Sequence, residues 1–151
     1  MMELGRILLV EDNKYDVELT LKSLAEFNVV NEVVVVNNGA DALDYLYRHG
    51  AFADRHWGNP AVILLDLKLP KINGFEVLRT IKADEKLKII PVVILTSSKE
   101  ERDLMDSYKL GVNAYVVKPI GFTEFARAIK GLGAFWAIIN EPPPGSSRRY
   151  R

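Results

Sequence analysis

The chain has no cysteine, which excludes a disulfide framework, a thiolate nucleophile and cysteine-based zinc sites. It has two histidines, His49 and His56, in a polar stretch with no ligand pair around them, so they read as solvated residues and are assigned nothing. An excess of one charge is also missing: 20 Lys and Arg balance 20 Asp and Glu, so no bulk field draws the chain to nucleic acid or to an anionic membrane. Function must then be local. Neither an apolar run near the roughly 18 residues of a membrane span nor a charged-then-apolar leader is present, and a cytoplasmic protein is expected. Internal repeats are absent beyond an alternation of strands and helices. Low complexity is confined to Pro142-Pro143-Pro144-Gly145-Ser146-Ser147, followed by the basic end Arg148-Arg149-Tyr150-Arg151. One domain over residues 4–141 and a disordered, solvated tail over 142–151 are expected, with no DNA-binding domain.

What the sequence does contain is apolar residues, 48% of 151, enough for one packed core. They are arranged in two alternating grammars. Short β-branched and leucine runs at 6–10, 32–36, 61–66, 92–96 and 114–117 read as strands. Amphipathic stretches at 16–27, 40–48, 75–83, 100–110 and 123–140 read as helices. Runs such as Val33-Val34-Val35-Val36 and Val62-Ile63-Leu64-Leu65 have no polar face, which implies burial on both faces and a parallel sheet covered by helices. An open, doubly wound α/β sheet follows, and such sheets bind ligands beyond the carboxyl ends of their strands.

Those ends carry a consistent chemistry. Glu11 and Asp12 follow the first strand, Asp66 ends the third, Thr96 ends the fourth, and Lys118-Pro119 follows the fifth. Each has an ordinary reading taken alone: Glu11-Asp12-Asn13 as a helix cap, Asp66 as a turn residue, Thr96 as a strand end, Lys118 as a solvated turn lysine. Brought together, three carboxylates repel by on the order of 4 kcal/mol per pair at about 4 Å and an effective dielectric of 20. A hard cation removes that penalty, and magnesium, which needs only one or two carboxylates beside waters and phosphate oxygens, fits the set better than calcium. Lys118 adds a point charge and Thr96 a hydroxyl donor, both suited to the oxygens of a transferring phosphoryl group.

With these residues in place the chain resembles a response-regulator receiver domain over residues 4–141. The motifs that carry the resemblance are Leu9-Val10-Glu11-Asp12-Asn13, Leu64-Leu65-Asp66-Leu67-Lys68-Leu69-Pro70 with Gly74, Ile94-Leu95-Thr96-Ser97 and Tyr115-Val116-Val117-Lys118-Pro119. The long connection 50–60 and the ending Phe135-Trp136 with Asn140-Glu141-Pro142-Pro143-Pro144 narrow it toward single-domain receivers that partner bacterial phytochromes. The resemblance implies a flavodoxin-like (βα)5 fold with strand order 2-1-3-4-5. It implies Asp66 as the phosphoryl acceptor, with magnesium held by Asp12, Asp66 and the backbone carbonyl of Lys68, and by Glu11 mainly through water. It further implies that Lys118 pairs with the acceptor, that Thr96 and Tyr115 form a switch pair, and that a histidine kinase is the donor. At the Lys68 position many relatives carry Asn, so Lys68 is expected to change the dephosphorylation rate.

Such a protein catalyses only its own phosphorylation and dephosphorylation. A magnesium-dependent phosphate-cleaving enzyme with Asp66 as transient nucleophile would want a second acid/base carboxylate two residues on, where Lys68 stands. A receiver-like module that binds partners without phosphorylation is disfavoured by the intact Glu11, Asp12, Asp66, Thr96 and Lys118 set. A flavin-binding module is disfavoured by acid in the first loop, where a phosphate cradle is glycine- or hydroxyl-rich. In the last helix Phe122, Phe125, Ile129, Leu132 and Trp136 form one core-facing stripe. Phe135, Ile138 and Ile139 lie off that stripe, which is expected to serve as a homodimer surface.

Overall fold

The computed structural model describes residues 5–26, 31–97, 100–112 and 114–117. Ile7–Val10 (β1) and Val62–Leu65 (β3) contain no polar side chain, and every one of their side chains is buried. Strands of this kind need neighbours on both edges and cover on both faces. β1 lies between Val33–Val36 (β2) and β3, while Val92–Thr96 (β4) lies between β3 and Ala114–Val117 (β5). All pairings are parallel, and the order is β2-β1-β3-β4-β5, as the resemblance implies.

The four valines of β2 depart from expectation. They read as a strand buried on both faces, yet only Val36 is buried and Val33, Val34 and Val35 are half-exposed. Among the described residues β2 is an edge strand with a single hydrogen-bonded neighbour, so its apolar run reports sheet propensity rather than depth in the core.

The helices are Lys14–Glu26 (α1), Gly39–Tyr47 (α2), Gly74–Ala83 (α3) and Glu101–Lys109 (α4). The first three open on asparagine, whose side-chain oxygen accepts from backbone N–H groups of the first turn. Asn13 accepts from Tyr15 and Asp16 at 2.9 and 3.1 Å, Asn38 from Asp41 at 2.8 Å, and Asn73 from Glu76 at 3.0 Å. Each such cap stabilises its helix by about 1 kcal/mol. Because each of these helices follows a strand of a parallel sheet, its start lies at the carboxyl side of the sheet. α2 buries Ala42, Tyr45 and Leu46, and α3 buries Val77, Leu78 and Ile81, spacings that keep one face of each helix on the core.

The connection 50–60, read as a polar loop, is built around a buried cation. After a 3-10 turn at Gly50–Phe52, Arg55 turns inward and is 7% exposed. Its guanidinium donates to the carbonyls of Tyr45, Leu46, Trp57 and Gly58 at 2.5–3.4 Å and lies 4.4 Å over the Tyr45 ring. Burial pushes its pKa below the ordinary arginine value, with the Tyr45 side chain acting in the opposite sense. Trp57 completes the clip by donating to the Tyr45 hydroxyl at 2.7 Å. The predicted last helix at 123–140, with Phe135, Ile138 and Ile139, and the tail lie outside the described residues.

Arg55→Ala removes the guanidinium bonds to the Tyr45, Leu46, Trp57 and Gly58 carbonyls. It is expected to lower stability by about 2–4 kcal/mol, a fall in melting midpoint of about 5–15 °C. Thermal unfolding followed by circular dichroism checks this, and an unchanged midpoint would show that the clip contributes nothing.

Candidate functional site

Register sets the site. Val10 pairs with Val36 on one side and Leu65 on the other, so the next residues, Glu11 and Asp66, leave adjacent strands at the same level. Two backbone bonds fix that level beyond the strands: Glu11 N donates to Val36 O at 3.0 Å and Asp66 N to Val10 O at 3.1 Å. The chain after β1 then turns into α1. Glu11 Oε2 accepts from Asn13 N at 3.2 Å, and Asn13 caps α1. The capping reading of Glu11-Asp12-Asn13 therefore holds for Asn13, whereas Glu11 and Asp12 belong to the cleft.

Glu11, Asp12 and Asp66 each bring a carboxylate oxygen within 4.8 Å of the others. Glu11 and Asp66 are buried, at 2% and 6% exposure, and Asp12 is exposed. Like charges at this spacing repel by about 3 kcal/mol per pair at an effective dielectric of 20. An all-oxygen donor set of this charge, open on the Asp12 side, fits a hard divalent cation. Lys68 follows Asp66 by two residues. Its backbone N–H approaches Asp66 Oδ1 at 3.3 Å, and its side chain is exposed.

Thr96 ends β4 and is fully buried. Leu65 pairs with Ile94, so Thr96 stands one step beyond the level of Asp66 on the neighbouring strand. Tyr115 lies on β5 opposite Ile94, half-buried and packed against the core. Lys118 and Pro119 lie outside the described residues. His49 and His56 are exposed and apart from the acidic cluster, as expected.

Two supports of the site were not read from the sequence as such. Gly74, the first residue of α3, donates from its N–H to Leu67 O at 2.7 Å. A Cβ there would overlap the carbonyl oxygen of Asp66 and come within 2.9 Å of its carbonyl carbon. The Asp66 peptide therefore rests against α3. Asn38 and Gly39, at the start of α2, approach the same loop from the other side, with Gly39 N 3.4 Å from Pro70 O. An Asn-Gly pair after a strand is a turn signal, and here it marks this contact.

A doubly wound parallel sheet with three carboxylates gathered beyond β1 and β3 defines a protein that handles phosphate or a cation at its strand ends. The sequence matches the response regulator receiver domain over residues 7–130, and the chain belongs to that family. It is 62% identical to the bacteriophytochrome response regulator RtBRR, whose structure superposes with a TM-score of 0.79 over 95% of this chain and 86% of that one. The phosphorylated cyanobacterial phytochrome response regulator RcpA is 43% identical, with a TM-score of 0.81 over 92% of this chain and 98% of that one. Response regulator Rcp1 of Synechocystis sp. is 39% identical over 130 residues, 86% of this chain and 87% of the relative. Its Mn(2+)-bound form superposes with a TM-score of 0.82 over 92% and 99% of the two chains.

Removing one charge from the cluster should stabilise the metal-free protein. Asp12→Asn is expected to raise its melting midpoint by about 2–4 °C, the equivalent of about 1 kcal/mol, and to abolish the further rise that a divalent cation gives the wild type. Differential scanning fluorimetry with and without added cation measures both effects. A lower metal-free midpoint would contradict the repulsion.

Proposed function

We propose that this chain is a receiver of a two-component phosphorelay, of the kind that serves phytochrome-type histidine kinases, and that Asp66 is its phosphoryl acceptor. The observation that carries the reading is the meeting of the Asp66 carboxylate with those of Glu11 and Asp12 at the carboxyl ends of β3 and β1. The phytochrome link is supported by the likeness to RtBRR, RcpA and Rcp1.

In the proposed reaction an Asp66 carboxylate oxygen attacks the phosphorus of a phosphohistidine in line. An O–P bond forms as the N–P bond breaks, and the imidazole leaves and takes up a proton. Magnesium, held by Asp12, Asp66 and the Lys68 carbonyl with Glu11 acting mainly through water, would supply positive charge against the carboxylates and the phosphoryl oxygens. The ladder bond from Asp66 N to Val10 O fixes the nucleophile's peptide, and burial keeps bulk water from its carboxylate. Lys118 pairs with the acceptor and then with the phosphoryl group. The product adds roughly 1.5 to 2 negative charges, by analogy with other phosphorylated side chains. Thr96 turns its hydroxyl onto that charge, and Tyr115 follows inward, which changes the surface around β5. Lys68, beside the phosphorylated carboxylate, alters its rate of hydrolysis.

On this reading the protein turns over only its own aspartyl phosphate and works in the cytoplasm; no described helix is long and apolar enough to cross a membrane. The receiver domain of this reading extends over residues 4–141, and the signal passes to a partner protein or to a second copy through Phe135, Ile138 and Ile139. Sedimentation with and without a phosphoryl mimic tests the last point: dimers are expected, and monomers alone at high concentration would exclude it. The acceptor itself is tested with acetyl phosphate and magnesium. Label on the wild type should fall to background in Asp66→Asn, and equal labelling of both would overturn the assignment.

A further inference from the structure

We infer that Gly39 is a positioning residue for phosphoryl transfer: by having no side chain it lets the start of α2 hold the acceptor loop, residues 67–73, in its working place. The inference rests on the reading of Asp66 as the acceptor.

Backbone conformation does not call for glycine here. Among the described residues the glycines with positive φ are Gly50 and Gly111, and alanine is the better residue inside a helix. The reason is space. A Cβ on Gly39 would overlap the carbonyl oxygen of Ile72 and come within 2.6 Å of its carbonyl carbon and 2.9 Å of its Cβ. Two of those three atoms are backbone, which cannot rotate away. Restoring an ordinary carbon contact requires a displacement on the order of 1 Å.

The loop, rather than the helix, gives way. α2 is anchored along its length by buried Ala42, Tyr45 and Leu46, at its start by the Asn38 cap, and at its end by Arg55 on the carbonyls of Tyr45 and Leu46. In the loop Leu67 and Leu69 are held in the core, so the displacement falls on the stretch after them, where Pro70 and Lys71 are exposed and Lys71 already sits in the left-handed region at φ 67°. Gly74 grips the loop at Asp66 and Leu67, and Gly39 grips it at Pro70 and Ile72. Lys68, whose carbonyl the family resemblance gives to the metal, stands between the two grips in the chain. Gly74 touches the acceptor's own peptide. Gly39 touches no reacting group, so its effect must pass through the loop.

The test is Gly39→Ala in the full chain. In the metal-free protein, hydrogen exchange read by mass spectrometry should quicken in peptides covering 66–74 and stay unchanged in β1, β3 and β4. Magnesium affinity by calorimetry and the maximal rate of labelling by acetyl phosphate should each fall about 10- to 100-fold, the usual effect of disturbing an outer support of a metal site. Half-saturation by acetyl phosphate should not move. Adding Lys71→Gly, between the overlap and Lys68, lets the turn absorb the displacement and should recover most of the loss. Wild-type affinity, rate and exchange in Gly39→Ala would overturn the inference, as would loss of the folded state, since Gly39 would then serve the fold rather than the site. Absence of label on wild-type Asp66 would instead overturn the reading on which the inference rests.

Discussion

Val10 stands opposite Leu65 in adjacent parallel strands, and the site depends on that one pairing. Because the strands run the same way, the residue that follows each leaves the sheet on the same edge, so Glu11 and Asp66 arrive together without any long-range search by their side chains. An antiparallel pair would send the two carboxylates to opposite ends. A slip of one residue would turn Asp66 to the other face of the sheet, away from Glu11. The backbone bonds from Glu11 N to Val36 O and from Asp66 N to Val10 O carry that register past the strand ends.

The same sheet supports a costly charge arrangement. Three carboxylate oxygens within 4.8 Å of one another oppose the folded state until positive charge neutralises them. Their proximity is tolerated because the surrounding strands and capped helices hold the backbone for other reasons. Asn13 stabilises α1 while keeping Glu11 in place through its own N–H. Gly74 lets α3 begin in contact with the Asp66 peptide. Stability and site geometry thus share residues here, and a change to Gly74 bears on both.

Much of this was legible in the sequence. β4 and β5 lie at the predicted bounds, and the described helices start within two residues of expectation, the offsets reflecting caps at Asn13, Asn38 and Asn73 that apolar periodicity does not register. Glu11, Asp12 and Asp66 could be placed together because a parallel sheet brings strand ends to one edge whatever the details of packing. Burial was harder. β2 read as interior from four valines, since composition reports strand preference and not the number of neighbours. Arg55 read as part of a polar loop because a guanidinium satisfied by backbone carbonyls leaves no pattern among side chains. The contact between Gly39 and Ile72 spans 33 residues of chain, and only the packed structure states it.

The edge position of β2 has a consequence for how this molecule behaves when crowded. Four consecutive valines on an outer strand are the composition that seeds sheet-to-sheet association between chains. Three features restrain it: the strand is only four residues long, Glu32 precedes it in an ion pair with Arg6 at 3.1 Å, and Asn37 with the capping Asn38 breaks it off. A rim kept this short and flanked by polar residues offers little edge for a second chain to pair with, while the carboxylates lie beyond the strand ends rather than along that rim.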